Sequence, residues 1–223
     1  MRELICMIGT SGSGKSTAAR ILEKEYGYTY ITSSDYIKLI KSDITQQYGY
    51  QIDTNVLIGI ISQYYNAGFN GFMRDIFKKC HSEKIVWDSC LNIHNLDLVL
   101  NCFDKVYFLC MTAPFQNRMK RIAERGSYPG ASMNEVVLRT TNVDQYEKQL
   151  GLGELMLQGD WYINVYTIED LKTKLNSFLK ECVPTSVEYK KTTLLNNSTV
   201  PEIKKEDIII YQQYMNEKGE NIW

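Results

Sequence analysis

The stretch "GTSGSGKS", Gly9 to Ser16, limits the folds open to this chain more than any other feature of its sequence. It fits G-x-x-x-x-G-K-S/T, with Gly9, Gly14, Lys15 and Ser16 at the fixed positions and Thr17 following, which is the phosphate-binding loop pattern. Without a Cβ, Gly12 and Gly14 let the backbone curl so that N–H groups from Ser11 to Gly14, Ser13 among them, converge on phosphate oxygens. A helix starting beside such a loop adds unpaired N–H groups and the positive end of its dipole. Lys15 supplies a mobile positive charge for the β/γ-phosphates, Ser16 a hydroxyl for Mg²⁺, and Thr17 the start of the helix.

The flanks have the setting that this loop requires. Leu4-Ile5-Cys6-Met7-Ile8 is an apolar run of strand length, and Ala18, Ala19, Ile21 and Leu22 continue as a helix to a stop at Gly27. Strand, glycine loop and helix in that order form a nucleotide-binding unit. Further β-like runs follow at 28–32, 84–88, 105–111 and 160–165, with helical stretches between or after them. "SSDYIKLIK" opens one helix, capped by Ser33 or Ser34. Pro114 starts another that stops at Gly126, and Ile168, Leu171, Leu175, Phe178 and Leu179 recur at helical spacing. Alternating strands and helices predict an α/β fold with a parallel sheet.

Residues 1–182 read as one domain. From 183 to about 201 the composition changes to that of a linker, with Pro184, Pro201 and "TTLLNNSTV". The last segment predicts one short amphipathic helix whose Ile208–Ile210 dock on the domain, on a second subunit or on a partner protein.

A formal charge of -1 provides no overall attraction toward nucleic acid, which makes it a disfavoured partner, and the absence of a run of about 18 apolar residues argues against a membrane span. The six cysteines contain no C-x-x-C pair, and Cys6 and Cys110 lie inside apolar runs, as reduced buried thiols of a cytoplasmic protein do. Two histidines without a paired ligand motif give no zinc site.

Four groups of residues complete the candidate site. Asp88 closes an apolar strand, where an acid beside Mg²⁺ is expected, or else caps the following turn. Asp35 follows the second strand, placed to take a proton from an attacking hydroxyl, to grip a substrate, or only to compensate a helix dipole. Arg118, Arg121 and Arg125 are spaced to share one helix face, either as a clamp over a transferring phosphoryl group or as a solvated basic face. "ERGSYPGAS" beyond them supplies hinge material, and Arg139 is a weaker candidate.

These parts, "GTSGSGKST", "SSDYIKLI", "KIVWDSCLNIHNLDLVL", "FDKVYFLCMTAPFQNRMKRIAERG" and "GDWYINVYTIEDLKTKLNSFL", together resemble the nucleoside-monophosphate-kinase-like group of P-loop kinases, in particular its deoxynucleoside-monophosphate and dephospho-coenzyme-A kinase branch. The resemblance covers residues 1 to about 182. It implies a three-layer α/β/α sandwich with a five-stranded parallel sheet ordered 2-3-1-4-5. It also implies ATP on the loop with Mg²⁺, an arginine-bearing lid over Arg118–Arg125, adenine near Asn164 to Thr167, and transfer of the ATP γ-phosphoryl group to a small phosphorylated or hydroxyl-bearing acceptor, in the first place a (deoxy)nucleoside monophosphate. One departure is that "DSCLN" lacks the glycine and arginine such sequences carry after the third-strand acid. The loop and "SSDYIKLI" also resemble phage-type polynucleotide 5′-kinases, although Lys38 stands where an arginine is expected. A third reading is a nucleotide-binding module whose catalysis has faded and whose output passes through residues 183–223.

Overall fold

The computed structural model describes residues 1–183 except Tyr50, Asn66 and Leu91; the expected linker and docking helix lie outside the described residues. Along the chain the elements run β1 (Glu3–Ile8), α1 (Lys15–Tyr26), β2 (Thr29–Ile31), α2 (Ser33–Tyr48), α3 (Thr54–Tyr64) and α4 (Gly68–Lys79). They continue with β3 (Lys84–Cys90), α5 (Asn95–Cys102), β4 (Lys105–Thr112), α6 (Phe115–Glu124) and α7 (Met133–Gln149). The last are α8 (Leu152–Met156), β5 (Trp161–Asn164) and α9 (Ile168–Cys182). The chain separates into two units, the first formed by Met1–Ile31 with the described residues from Ser82 onward, the second containing Thr32–His81.

The first unit is built on a five-stranded sheet in the order β2-β3-β1-β4-β5, every pairing parallel, as the sequence predicts. The strands are apolar on both sides because both faces are covered. Ile5 and Met7 pack against Ala18, Ala19 and Leu22 of α1 and Leu171, Leu175 and Phe178 of α9. Leu4, Cys6 and Ile8 point the other way, where α8 meets β1 and α5 meets β4. The parallel arrangement sends every strand's C-terminal end to one rim, where ligands bind in open α/β sheets.

At that rim β3 differs from expectation. The strand was expected to end at Asp88 and instead runs to Cys90, with Cys6 opposite Trp87 but Ile8 opposite Cys90, so one extra residue is accommodated around Asp88 and Ser89. Such a bulge re-aims side chains at a strand end. Helix starts are corrected by one residue as well. Thr32, not Ser33 or Ser34, is the N-cap of α2, without a side-chain cap bond, and Pro114 is the N-cap of α6 rather than its first residue.

The second unit holds α2, α3 and α4. Asp53 caps α3 by accepting from the Asn55 and Val56 N–H groups. Phe72, fully buried, meets Tyr36 and Tyr65 edge-on. Gly71 lies so close to Tyr65 that an added Cβ would sit 2.7 Å from the Tyr65 Cβ.

Candidate functional site

The loop between β1 and α1 takes the form its glycines permit. Gly9 has φ +146°, and a Cβ there would lie 2.1 Å from the Met111 carbonyl oxygen; Gly14, the N-cap of α1, has φ +104°. The N-terminus of α1 therefore opens directly onto the loop, the geometry that favours an anion. A cavity of about 230 Å³ is lined by Ser11, Gly12, Gly14, Lys15, Ser16, Thr17, Arg121 and Arg125. Three of these side chains are cationic and none is acidic, so the cavity suits a polyanion.

Lys15 turns back on the loop, its Nζ donating to the carbonyl oxygens of Gly9 at 2.5 Å and Thr10 at 3.0 Å. Burial lowers its pKa, with Glu147 and Asp88 opposing the shift and Arg118 and Arg125 adding to it. A phosphate oxygen is the partner such an ammonium lacks.

Ser16 and Asp88 come together as the sequence proposed. The Ser16 hydroxyl donates to Asp88 Oδ2 at 2.6 Å, the Tyr30 phenol donates to the same oxygen at 2.6 Å, and Ser89 donates to Oδ1 at 3.0 Å. Three hydroxyls thus fix a carboxylate that is only 6% exposed. The alternative role for Asp88, capping the following turn, is not what its carboxylate does. A hydroxyl and a carboxylate oxygen side by side at the end of a phosphate cradle are hard donors that fit Mg²⁺. Among the described residues no cluster of three or more His, Cys, Asp or Glu could hold a metal.

The three arginines do not share one role. Arg118 is buried: its Nε donates to the Ser11 carbonyl at 2.8 Å, and its Nη2 donates to both carboxylate oxygens of Asp144 at 2.6 and 2.8 Å. It ties α6 to α7 and to the loop, and it does not line the cavity. Arg121 donates to the carbonyls of Gly12, Val165 and Tyr166, pinning the β5 exit against the loop. Arg125 is held by Ser127 at 2.9 Å and reaches Ser11 Oγ at 3.5 Å, which leaves it the most exposed of the three. The single cationic face read from the spacing is therefore one internal strut and two cavity cations.

Asn164 ends β5, where its Nδ2 donates to the Tyr166 hydroxyl and its carbonyl accepts from Lys174. Arg139 stands 5.5 Å from the centre of the Tyr128 ring. Asp35, in the second unit, lies in the first turn of α2 and pairs with Lys38 at 3.1 Å.

The sequence reading passed over three site residues: Tyr30, Asp144 and Glu147. Tyr30 was hidden inside a β-like run, and the two acids sit on α7, which was not expected at all. Glu147 is 6% exposed, and its Oε2 has no hydrogen-bond partner. Burial raises its pKa, Lys15 and Arg118 pull it down, and Asp144 adds to the rise.

Residues 5–138 match the AAA domain family, well over half of the chain. The adenylate kinase of Jannaschia sp. (strain CCS1) is 25% identical over 181 residues, covering 75% of this chain and 94% of that protein. The crystal structure of TT1252 from Thermus thermophilus is similar with a TM-score of 0.52 at 17% identity, covering 82% of this chain and 98% of that one. Shikimate kinase from Bacteroides thetaiotaomicron has a TM-score of 0.51 at 12% identity, covering 79% of this chain and 96% of that one. The matched loop and the 2-3-1-4-5 sheet agree, and the chain belongs to the AAA domain family, with a P-loop α/β fold that kinases share.

Proposed function

We propose that the chain transfers the γ-phosphoryl group of ATP to a small phosphorylated acceptor, a nucleoside or deoxynucleoside monophosphate. The observation that carries this reading is the cationic cavity on the Gly9–Thr17 loop with the Ser16–Asp88 pair at its edge. Lys15 leaves its two loop carbonyls to meet the β/γ-phosphates, while Arg121 and Arg125 balance the charge that spreads over the phosphoryl oxygens during transfer. Arg118 supports them from within the fold. Ser16 and Asp88 would hold Mg²⁺, which supplies further charge neutralisation when bound. Asp35 is assigned to the acceptor, as proton acceptor or as grip. A relative named adenylate kinase favours a nucleotide acceptor over other small molecules.

A screen with γ-labelled ATP and Mg²⁺ tests this, offering nucleoside monophosphates, deoxynucleoside monophosphates, dephospho-coenzyme A and a 5′-hydroxyl oligonucleotide. Label on a mononucleotide supports the proposal, and label on the oligonucleotide replaces it with a polynucleotide kinase. A second reading, a nucleotide-binding module without catalysis, is favoured by two observations: "DSCLN" has no arginine, and Arg118 is consumed by Asp144. ATP binding without transfer to any acceptor would establish it.

A further inference from the structure

Arg118 spends its guanidinium on the loop and on α7, not on the cavity that the loop helps to form. Its Nε donates to the Ser11 carbonyl at 2.8 Å, while its Nη2 donates to both carboxylate oxygens of Asp144 at 2.6 and 2.8 Å. A planar fork held at both ends cannot turn without breaking one of them. The pair is nearly closed to solvent, the two side chains being 9% and 15% exposed. Gly12 lies directly against α6, where an added Cβ would sit 3.1 Å from the Arg118 carbonyl oxygen. In a trans peptide, as Ser11–Gly12 is, the C=O and the following N–H point in opposite directions. With the Ser11 oxygen drawn toward Arg118, the Gly12 N–H is turned away from it. Gly12 lines the cavity and Arg118 does not, so that N–H faces the cavity side.

We propose that Asp144 is a positioning residue for the phosphate site: by holding Arg118 it fixes the Ser11–Gly12 peptide so that the Gly12 N–H meets an incoming phosphate oxygen. This rests on the nucleotide reading of the loop and adds to it a residue outside the cavity lining. The physical basis is the cost of a buried cation. Without the carboxylate, a guanidinium so far from solvent is uncompensated, and it leaves for water or for an anion in the neighbouring cavity. Either move releases the Ser11 carbonyl. Gly12, at φ +77°, then tolerates other backbone conformations, and the peptide is free to turn. A loop whose donor is no longer preset must order it at the moment of binding, which weakens binding. One donor aimed at a charged phosphate oxygen is worth about tenfold in the dissociation constant.

The chain has two Ser–Gly pairs, Ser11–Gly12 and Ser13–Gly14, which makes the peptide directly observable. Cell-free synthesis of the full chain with carbonyl-¹³C serine and ¹⁵N glycine leaves only these two amides in a carbonyl-filtered nuclear magnetic resonance spectrum, and Ser11→Ala identifies the Gly12 signal by removing it. The Mg²⁺ complex of the β,γ-imido analogue of ATP is then added. In the wild type both amide protons should move downfield. In Asp144→Asn at saturating nucleotide, Gly14 should move as before and Gly12 should stay near its free position, with the dissociation constant raised about tenfold. Gly12 moving as far as in the wild type overturns the inference, whatever the affinity, and leaves the nucleotide reading intact. No movement of either signal in the wild type overturns both. Should Asp144→Asn not fold, Arg118→Met with Asp144→Leu decides by the same signals, because it removes the two buried charges together and a merely structural pair would leave the Gly12 shift unchanged.

Discussion

At the scale of single residues the site is a set of side chains with little freedom to be anything else. Tyr30 and Ser16 donate to one oxygen of Asp88, so the carboxylate is aimed before any cation arrives. Tyr30→Phe removes one of those donors without disturbing the apolar contacts of the ring. Affinity for Mn²⁺ in the presence of nucleotide, read by electron paramagnetic resonance, should fall by about tenfold while the circular dichroism spectrum stays unchanged. An unaltered affinity would show that Ser16 and Ser89 are enough to orient Asp88. Glu147 makes a second prediction, with a sign opposite to that of a paired acid. Its carboxyl group holds its proton to higher pH in the folded chain than in the unfolded one, because burial raises its pKa. Above the ordinary carboxyl range the unfolded chain therefore binds fewer protons, and stability drains away as pH rises toward the folded value. Glu147→Gln should be about as stable as the wild type at pH 4 and more stable at pH 7 in urea unfolding. Equal stability of the two proteins at both pH values would mean that nearby cations compensate the charge in full.

The elements most open to error from sequence are those whose buried faces are not apolar. β1, β4, α1 and α9 were legible because apolar residues alternate or recur at helical spacing, and the loop was legible because its glycines and lysine have fixed positions. α7 was missed: its inward face carries Thr140, Asp144 and Glu147, which read as a solvated side until Arg118 is seen to meet them. α3 is apolar on nearly every side in "VLIGII", a pattern shared with a buried strand, and α4 contains Gly68 and Gly71, residues that normally interrupt helices. Gly71 is there because Tyr65 leaves no room for a side chain. The Arg118–Asp144 pair gives the prediction proper to this scale. Removing one partner strands a buried charge, so Asp144→Ala should cost about 3–5 kcal/mol in denaturant unfolding. Replacing both, as Arg118→Met with Asp144→Leu, should recover most of that loss. A double variant no better than Asp144→Ala would mean that the bond from Arg118 to the Ser11 carbonyl, not the ion pair, fastens α6 to the loop.

For the molecule as a whole, the cysteines turn the sheet into its own reporter. Cys6, Cys90 and Cys110 lie buried on β1, β3 and β4, three adjacent strands of the first unit, whereas Cys102 and Cys182 are partly exposed near the ends of α5 and α9. Burial pushes the Cys6 thiol well above its ordinary range, with Cys90 adding to the shift, and takes Cys110 to about 12. Neither offers a thiolate at neutral pH, and the thiolate is the form that reacts. Alkylation followed by mass spectrometry should therefore label Cys102 and Cys182 first. Cys6, Cys90 and Cys110 should follow only at the rate at which the sheet opens. Nucleotide that binds the folded loop must suppress that opening by the factor one plus the ratio of ligand to dissociation constant, about a hundredfold at a hundred times Kd. The slow phase of the sheet cysteines should lengthen accordingly with ATP present, and Lys15→Ala should lose this nucleotide-dependent change. Cys80, buried in the second unit, reads that unit separately. If saturating nucleotide left the sheet cysteines unprotected in the wild type, the loop would not be the site at which this protein holds ATP.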